Sequence, residues 1–168
     1  MSIITPSLNS AATIRQCIES IRAQGVALEH IIIDGQSSDE TLKVVGQLTD
    51  SSTRVVSEPD SGLYAAMNKG VGLATGEGIG ILNADDLYAA SDVLDDVSRL
   101  FNDPAVEACY GDLEDVAADD PGRVVRCWKA GAFERKRFYH GWMPPHPTLF
   151  LRRSVYEGCG LFREDFGT

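Results

Sequence analysis

The run Gly80-Ile81-Leu82-Asn83-Ala84-Asp85-Asp86-Leu87-Tyr88 is where this protein is best equipped for chemistry. Its apolar start, residues 79–82, reads as a buried strand. The strand ends abruptly in an amide and two carboxylates. In α/β proteins the carboxyl ends of parallel strands face the ligand crevice. Carboxylate and amide oxygens are hard donors, the kind that Mg²⁺ or Mn²⁺ takes when it bridges to a substrate diphosphate. Asn83, Asp85 and Asp86 therefore read as a metal corner, with Asp85 and Asp86 as the charged ligands. A plain turn or helix cap would use the same residue types, so the reading depends on what else reaches this corner.

Three more strand-like segments precede it, at residues 2–6, 31–33 and 55–56. Helical patterns separate them. Ile14, Cys17, Ile18 and Ile21 follow the i, i+3, i+4, i+7 spacing of an amphipathic helix. Ser38 is a candidate N-cap for a helix carrying Leu42, Val45 and Leu48. Residues 63–74 form a third helix, with Met67 and Val71 inward. Strand and helix in alternation predict a mostly parallel α/β sheet with right-handed crossovers. Each strand ends in polar residues: Ser7 and Asn9, Asp34, Glu58 and Asp60, then Asn83 to Asp86. A parallel sheet brings those four tips to one edge, and this convergence outweighs any single acidic residue.

The second half is less regular. A helix is expected over 92–101, capped by Ser91, with Val93, Val97, Leu100 and Phe101 inward. Residues 108–113 and 124–128 read as a hairpin joined by an acidic loop at 117–122, with Trp128 in the core. Residues 138–147 are aromatic and proline-rich, as in a lid or groove loop. A short strand over 148–151 and a short helix over 154–157 follow. One domain spanning 1–168 is expected, with halves at 1–90 and 91–168.

Bulk properties narrow the function. The protein has 168 residues, 43% hydrophobic, and a net charge of -10 from 15 basic and 25 acidic side chains. Its mean hydropathy is -0.11 and its pI about 4.6. No nucleic acid polymer is expected as a partner, because phosphate-backbone binding needs basic surface. An anionic substrate must be met by a metal or by local cations such as Lys69 or Arg152; the Arg152-Arg153 pair otherwise covers surface. The four cysteines form no C-x-x-C pair. They read as small buried hydrophobes in a reducing compartment, which argues against zinc. His30 and His140 read as structural or solvated. No stretch is long and apolar enough to cross a membrane, and the sequence starts directly in a strand. A cytoplasmic protein is expected, with peripheral contact at the inner face of the membrane and homo-oligomerisation both compatible.

Four segments in order carry a resemblance: Thr5-Pro6-Ser7-Leu8-Asn9; Ile33 through Thr41 (IDGQSSDET); Glu58 through Gly70 (EPDSGLYAAMNKG); and Leu82-Asn83-Ala84-Asp85-Asp86. Together they resemble family 2 glycosyltransferases of the GT-A fold, of the colanic-acid or exopolysaccharide type. The resemblance implies an inverting transferase that uses a nucleotide-diphosphate sugar (a UDP-sugar by preference), a divalent metal, and a polysaccharide or lipid-linked saccharide acceptor. It implies that Thr5, Pro6 and Asn9 line the nucleotide pocket, and that Asp34 accepts a hydrogen bond from the base. Asp60, Asn68 and Lys69 would border ribose and phosphates. Asn83, Ala84 and Asp85 would complete the donor site, with the metal on Asp85 and Asp86 beside it. Acceptor contacts are expected from Asp112, Trp142 and His146.

Two departures stand out. The first acidic position of the usual metal motif is Asn83, which brings an oxygen without charge. Gly160-Leu161-Phe162-Arg163-Glu164 resembles the segment that precedes the family's catalytic base, which would place that base just beyond Thr168 and leave the sequence incomplete at its C-terminus. A nucleotide-sugar-binding module without catalysis is the competing reading. A nucleotidyltransferase fits worse, since Pro6-Ser7-Leu8-Asn9-Ser10 stands where a glycine-rich basic loop belongs. No G-x-G-x-x-G follows a strand, which disfavours a dinucleotide oxidoreductase.

Overall fold

The computed structural model describes residues 1–117 and 120–165. Eight strands and five α-helices follow one another: β1 (Ser2–Ser7), α1 (Ile14–Arg22), β2 (Glu29–Asp34), α2 (Thr41–Leu48), β3 (Thr53–Ser57), α3 (Leu63–Leu73), β4 (Gly78–Ile81), α4 (Val93–Phe101), β5 (Ala108–Cys109), β6 (Leu113–Ala117), β7 (Asp120–Trp128), β8 (Phe150–Arg152) and α5 (Arg153–Cys159). The central sheet has the order β3-β2-β1-β4-β8-β5, and β6 and β7 form a separate hairpin. The first four strands are parallel, and β8 runs antiparallel between β4 and β5.

Side-chain alternation along the strands builds two packed faces. Ile4, Ile31 and Ile33 meet Ala66, Met67 and Val71 of α3. Ile3 meets Cys17 and Ile21 of α1 and Leu94 and Val97 of α4, while Ile32 packs with Ile14, Ile18 and Val45. The isoleucines are fully buried, and each contributes roughly 1.5–3 kcal/mol by leaving water. Gly70 lets α3 lie close to β1: a Cβ there would stand 2.3 Å from the Ile4 side chain.

Several expectations are corrected. Ser91 and Ser38 cap nothing: the N-cap positions are Asp92 and Glu40, neither with a side-chain cap bond. Leu42 is exposed rather than inward. The expected strand over 108–113 divides, because Ala108–Cys109 joins the central sheet while the hairpin begins at Leu113 opposite Trp128. Part of the acidic loop, Asp120 to Gly122, belongs to β7, and residues 118–119 lie outside the described residues. Trp128 is 36% exposed, outside the core, with the Arg126 guanidinium 5.7 Å from its ring centroid. Cys17 is buried, but Cys127 and Cys159 are exposed, so burial does not explain all four thiols. Arg152 is buried, not a surface residue.

Candidate functional site

The sheet order reverses at β1. The backbone winds from β1 to β2 to β3 on one side, then crosses to lay β4 on the other. A crevice forms at the carboxyl ends of strands where winding reverses in this way. Register sets the tips level: Ser7 lies opposite Asp34, and Asp34 opposite Ser57. The Leu82 N–H donates to the Ile4 carbonyl at 2.9 Å, so Asn83 leaves β4 beside Thr5 and Pro6. Asp34 and Asn83 stand two strands apart, roughly 10 Å at the usual strand spacing.

The first two tips are stapled together. Asn9 sits at φ +50°; its N–H donates to Ser37 Oγ (2.8 Å), and its Oδ1 accepts from the Ser38 N–H (2.9 Å). The Ser10 N–H donates to Thr41 Oγ1 (2.7 Å), and the Gly35 N–H to the Ser7 carbonyl (2.9 Å). Asp34 organises the centre of this staple. Its carboxylate is fully buried and accepts from Ser7 Oγ, the Ser37 N–H and hydroxyl, and Ser57 Oγ. A carboxylate offers about four lone-pair positions, and four donors of the protein itself reach this one, Ser7 Oγ at the longest distance, 3.4 Å. Asp34 therefore shapes the edge from within.

Three other expected contacts are also turned inward. Thr5 is buried, with Oγ1 2.9 Å from His30 Nε2 and 3.9 Å from Cys17 Sγ, because odd-numbered residues of β1 face α1. Asn68 holds the backbone of Phe162 by two bonds of 2.9 Å and gives a third to Glu164. Its amide therefore docks residues 160–164 on α3. Arg152 lies opposite Gly78, at the amino end of β4, so it stands at the far edge from the tips. It donates to the carbonyls of Val106 (2.6 Å), Phe101 (2.7 Å) and Asp103 (2.8 Å) and pairs with Glu77.

The remaining tip residues border the edge. Asp60 accepts from the Gly62 N–H at 3.0 Å, and a Cβ on Gly35 would meet its carboxylate at 2.9 Å. Lys69 pairs with Glu58 at 2.8 Å. Pro6 and Ala84 are buried, whereas Asp85 is exposed. Asn83 Nδ2 donates to Asp86 at 3.0 Å, and Asn83 Oδ1 is a buried oxygen with no hydrogen-bond partner among the described residues. Burial raises the Asp86 carboxyl above the usual carboxylate range; the Asn83 bond opposes that, and the charges of Asp85 and Asp115 add to it. An orphaned hard oxygen beside two mutually repelling carboxylates fits a divalent cation, which commonly takes one or two carboxylates and completes its shell with water and phosphate. Among the described residues no group of three or more His, Cys, Asp or Glu side chains is arranged to hold a metal.

A cleft of about 720 Å³ opens from Asp85 and Asp86 between α4 and the hairpin. Tyr110, Asp112 and Asp115 line its far wall. Asp112 accepts from Lys129 (2.8 Å) and the Ala130 N–H (3.0 Å), bonds that hold its carboxyl below the ordinary range. Trp142 donates to the Ala130 carbonyl at 3.1 Å and meets Tyr110 edge-on at 5.8 Å. His146 lies at the surface with its ring edge-on to Phe162 at 5.9 Å, and partial burial there lowers its pKa. Sequence reasoning missed Asp115 and Tyr110, because only the hairpin's register and the Ala108–Cys109 pairing carry them to the cleft.

A parallel sheet with its crevice at the switch point, extended by an antiparallel strand and an acidic turn, defines a GT-A class protein. Residues 2–158 match the family model for glycosyl transferase family 2, and the protein belongs to that family. A PGL/p-HBAD biosynthesis glycosyltransferase of Mycobacterium tuberculosis is 33% identical over 96% of this sequence and 62% of its own length. Pasteurella multocida chondroitin synthase is 29% identical over 96% of this sequence and 17% of its own length. The 168 residues thus span 62% of the first of these relatives. The mannosyltransferase PcManGT of Pyrobaculum calidifontis, solved with GDP-Man and Mn²⁺, superposes with a TM-score of 0.74 at 23% identity, covering 99% of this protein and 48% of its own length. S. aureus TarS 1–349 in complex with UDP gives 0.75 at 18%, covering 98% and 50%. Both structures share the fold.

Proposed function

We propose that this protein supplies the donor side of an inverting glycosyltransferase, moving a sugar from a nucleotide-diphosphate donor to a saccharide or lipid-linked acceptor. The observation that supports it most is the corner where β4 ends. Asn83, Asp85 and Asp86 emerge at the switch point, with a buried oxygen that has no partner among the described residues and a carboxyl whose ionisation is opposed by burial and by the charge of Asp85. Residues 1–90 form the donor half and residues 91–168 the acceptor-side half of one domain. Solved relatives of this fold are described with GDP-Man and Mn²⁺ and with UDP-GlcNAc, which supports a nucleotide-diphosphate sugar without choosing the base.

The proposed chemistry is an in-line displacement. The acceptor oxygen bonds to the anomeric carbon as the bond to the diphosphate oxygen breaks, and the hydroxyl proton passes to a base. Asp85 and Asp86, with the Asn83 oxygen, would hold Mg²⁺ or Mn²⁺, which when bound neutralises charge on the departing diphosphate. Asn9 and Asp60 border the donor from the first and third tips, and Lys69 sets its cation there beside Glu58. Asp34 keeps the 35–38 turn in place. Asp112, Trp142 and His146 stand on the acceptor side, where positioning supplies much of the rate. A binding module without catalysis is the competing reading. A thermal-shift screen of nucleotide-diphosphate sugars, with and without Mn²⁺, tests the donor assignment. A metal-dependent rise in Tm for at least one donor is expected, by mass action on the folded state; no rise for any donor overturns it.

A further inference from the structure

The protein's charge is distributed unevenly. Residues 123–143 hold six of the 15 basic side chains (Arg123, Arg126, Lys129, Arg135, Lys136 and Arg137) and one of the 25 acidic ones, Glu134. That segment is therefore at +5 and the remainder at -15, consistent with the net -10. The same segment exposes large apolar side chains: Tyr139 is 82% exposed, Met143 63%, Phe133 62% and Phe138 45%. Arg135 and Lys136 are exposed among them. These side chains surround an aromatic cluster. Phe138 meets Trp142 edge-on at 5.2 Å, Phe133 meets both rings, and the Arg137 guanidinium lies 4.8 Å from the Trp142 ring centroid. A 3₁₀ turn, Arg135–His140, presents the group and closes at Gly141 with φ +81°.

We propose that this face docks on an anionic lipid bilayer. Aromatic rings and methionine sit in the headgroup region, where one side of each is apolar and the other wet. Basic side chains beside them gain from the negative surface potential of the leaflet. Each ingredient alone is ordinary; their coincidence in 21 residues of an otherwise acidic protein is what complements such a surface. The face also adjoins the cleft through Trp142 and Tyr110, so a lipid-borne substrate would arrive beside the acidic corner. Docking follows from the surface itself and does not depend on the glycosyl-transfer reading.

Vesicle flotation tests it with no sugar or metal present. The protein should float with phosphatidylcholine–phosphatidylglycerol vesicles, less with phosphatidylcholine alone, and less at high salt. The double variant R135E/K136E should lower the partition coefficient at least roughly fivefold for each basic residue removed. Y139S/M143S should lower it for both vesicle types, and the high exposure of both positions makes misfolding a small concern, checked by circular dichroism. Equal flotation with both vesicle types, or unchanged flotation of both variants, would overturn the proposal. So would a concentration-dependent dimer in gel filtration that Y139S/M143S dissolves while vesicle binding persists, since the face would then serve protein association.

Discussion

Asp34 and Asp86 both follow a strand of the same sheet, yet their surroundings are opposite. Asp34 is enclosed by four hydrogen-bond donors of the protein itself. Truncation in Asp34→Ala leaves those donors facing a buried void, at a cost of about 2–4 kcal/mol. Thermal denaturation should show a Tm lowered by roughly 5–15 °C; an unchanged Tm would mean the carboxylate serves a ligand and not the fold. Asp86 has the reverse problem, since burial and the neighbouring Asp85 charge raise its pKa. A carboxyl with a raised folded pKa detracts from stability at pH values above its unfolded pKa. Asp86→Asn should therefore raise the Tm of the metal-free protein by about 1–3 °C at neutral pH and lose the gain in strong acid. The same variant should respond less to Mn²⁺. Scanning calorimetry at two pH values, with and without the metal, reads all three effects.

Elements explain which residues the sequence placed well. The apolar run Ile31-Ile32-Ile33 and the spacing of Ile14, Cys17, Ile18 and Ile21 left little alternative to a covered strand and an amphipathic helix, and all seven are buried. The Thr5 hydroxyl faces inward because strand parity, not motif membership, decides where it points. That parity brings Thr5 to His30, whose pKa burial pushes down to about 4. The sign follows from linkage: the neutral imidazole stabilises the fold above the unfolded value near 6.5, and the contribution is lost as pH falls toward 4, totalling about 3 kcal/mol. Urea titrations from neutral to acid pH should show a loss in the parent that His30→Asn lacks, measured as the difference between them. Arg152 was illegible for a related reason. Nothing in Arg152-Arg153 distinguishes a surface pair from one whose first member ties β8 to the carbonyls after α4. Arg152→Met removes three hydrogen bonds to backbone carbonyls and should cost about 2–4 kcal/mol in urea denaturation, with nucleotide affinity unchanged. A matching fall in affinity would return Arg152 to the substrate site.

At the scale of the molecule, the parallel sheet and its convergent edge were legible because βαβ alternation admits few topologies. The acceptor side was not. There the hairpin register, the split of 108–113 between two sheets and the seating of Phe162 among Tyr64, Tyr156 and His146 rest on long-range contacts that no local pattern encodes. The proposed function requires that the tips after β1, β3 and β4 form one cleft taking a nucleotide diphosphate together with a divalent cation. Isothermal titration of UDP and GDP into the parent and into Asp85→Ala, with and without Mn²⁺, tests this most directly. One nucleotide should bind the parent at least roughly tenfold more tightly with Mn²⁺ than without, about 1.4 kcal/mol, and Asp85→Ala should abolish the difference while keeping its Tm. Binding that ignores Mn²⁺, or an Asp85→Ala variant that responds to it as the parent does, would contradict the shared cleft.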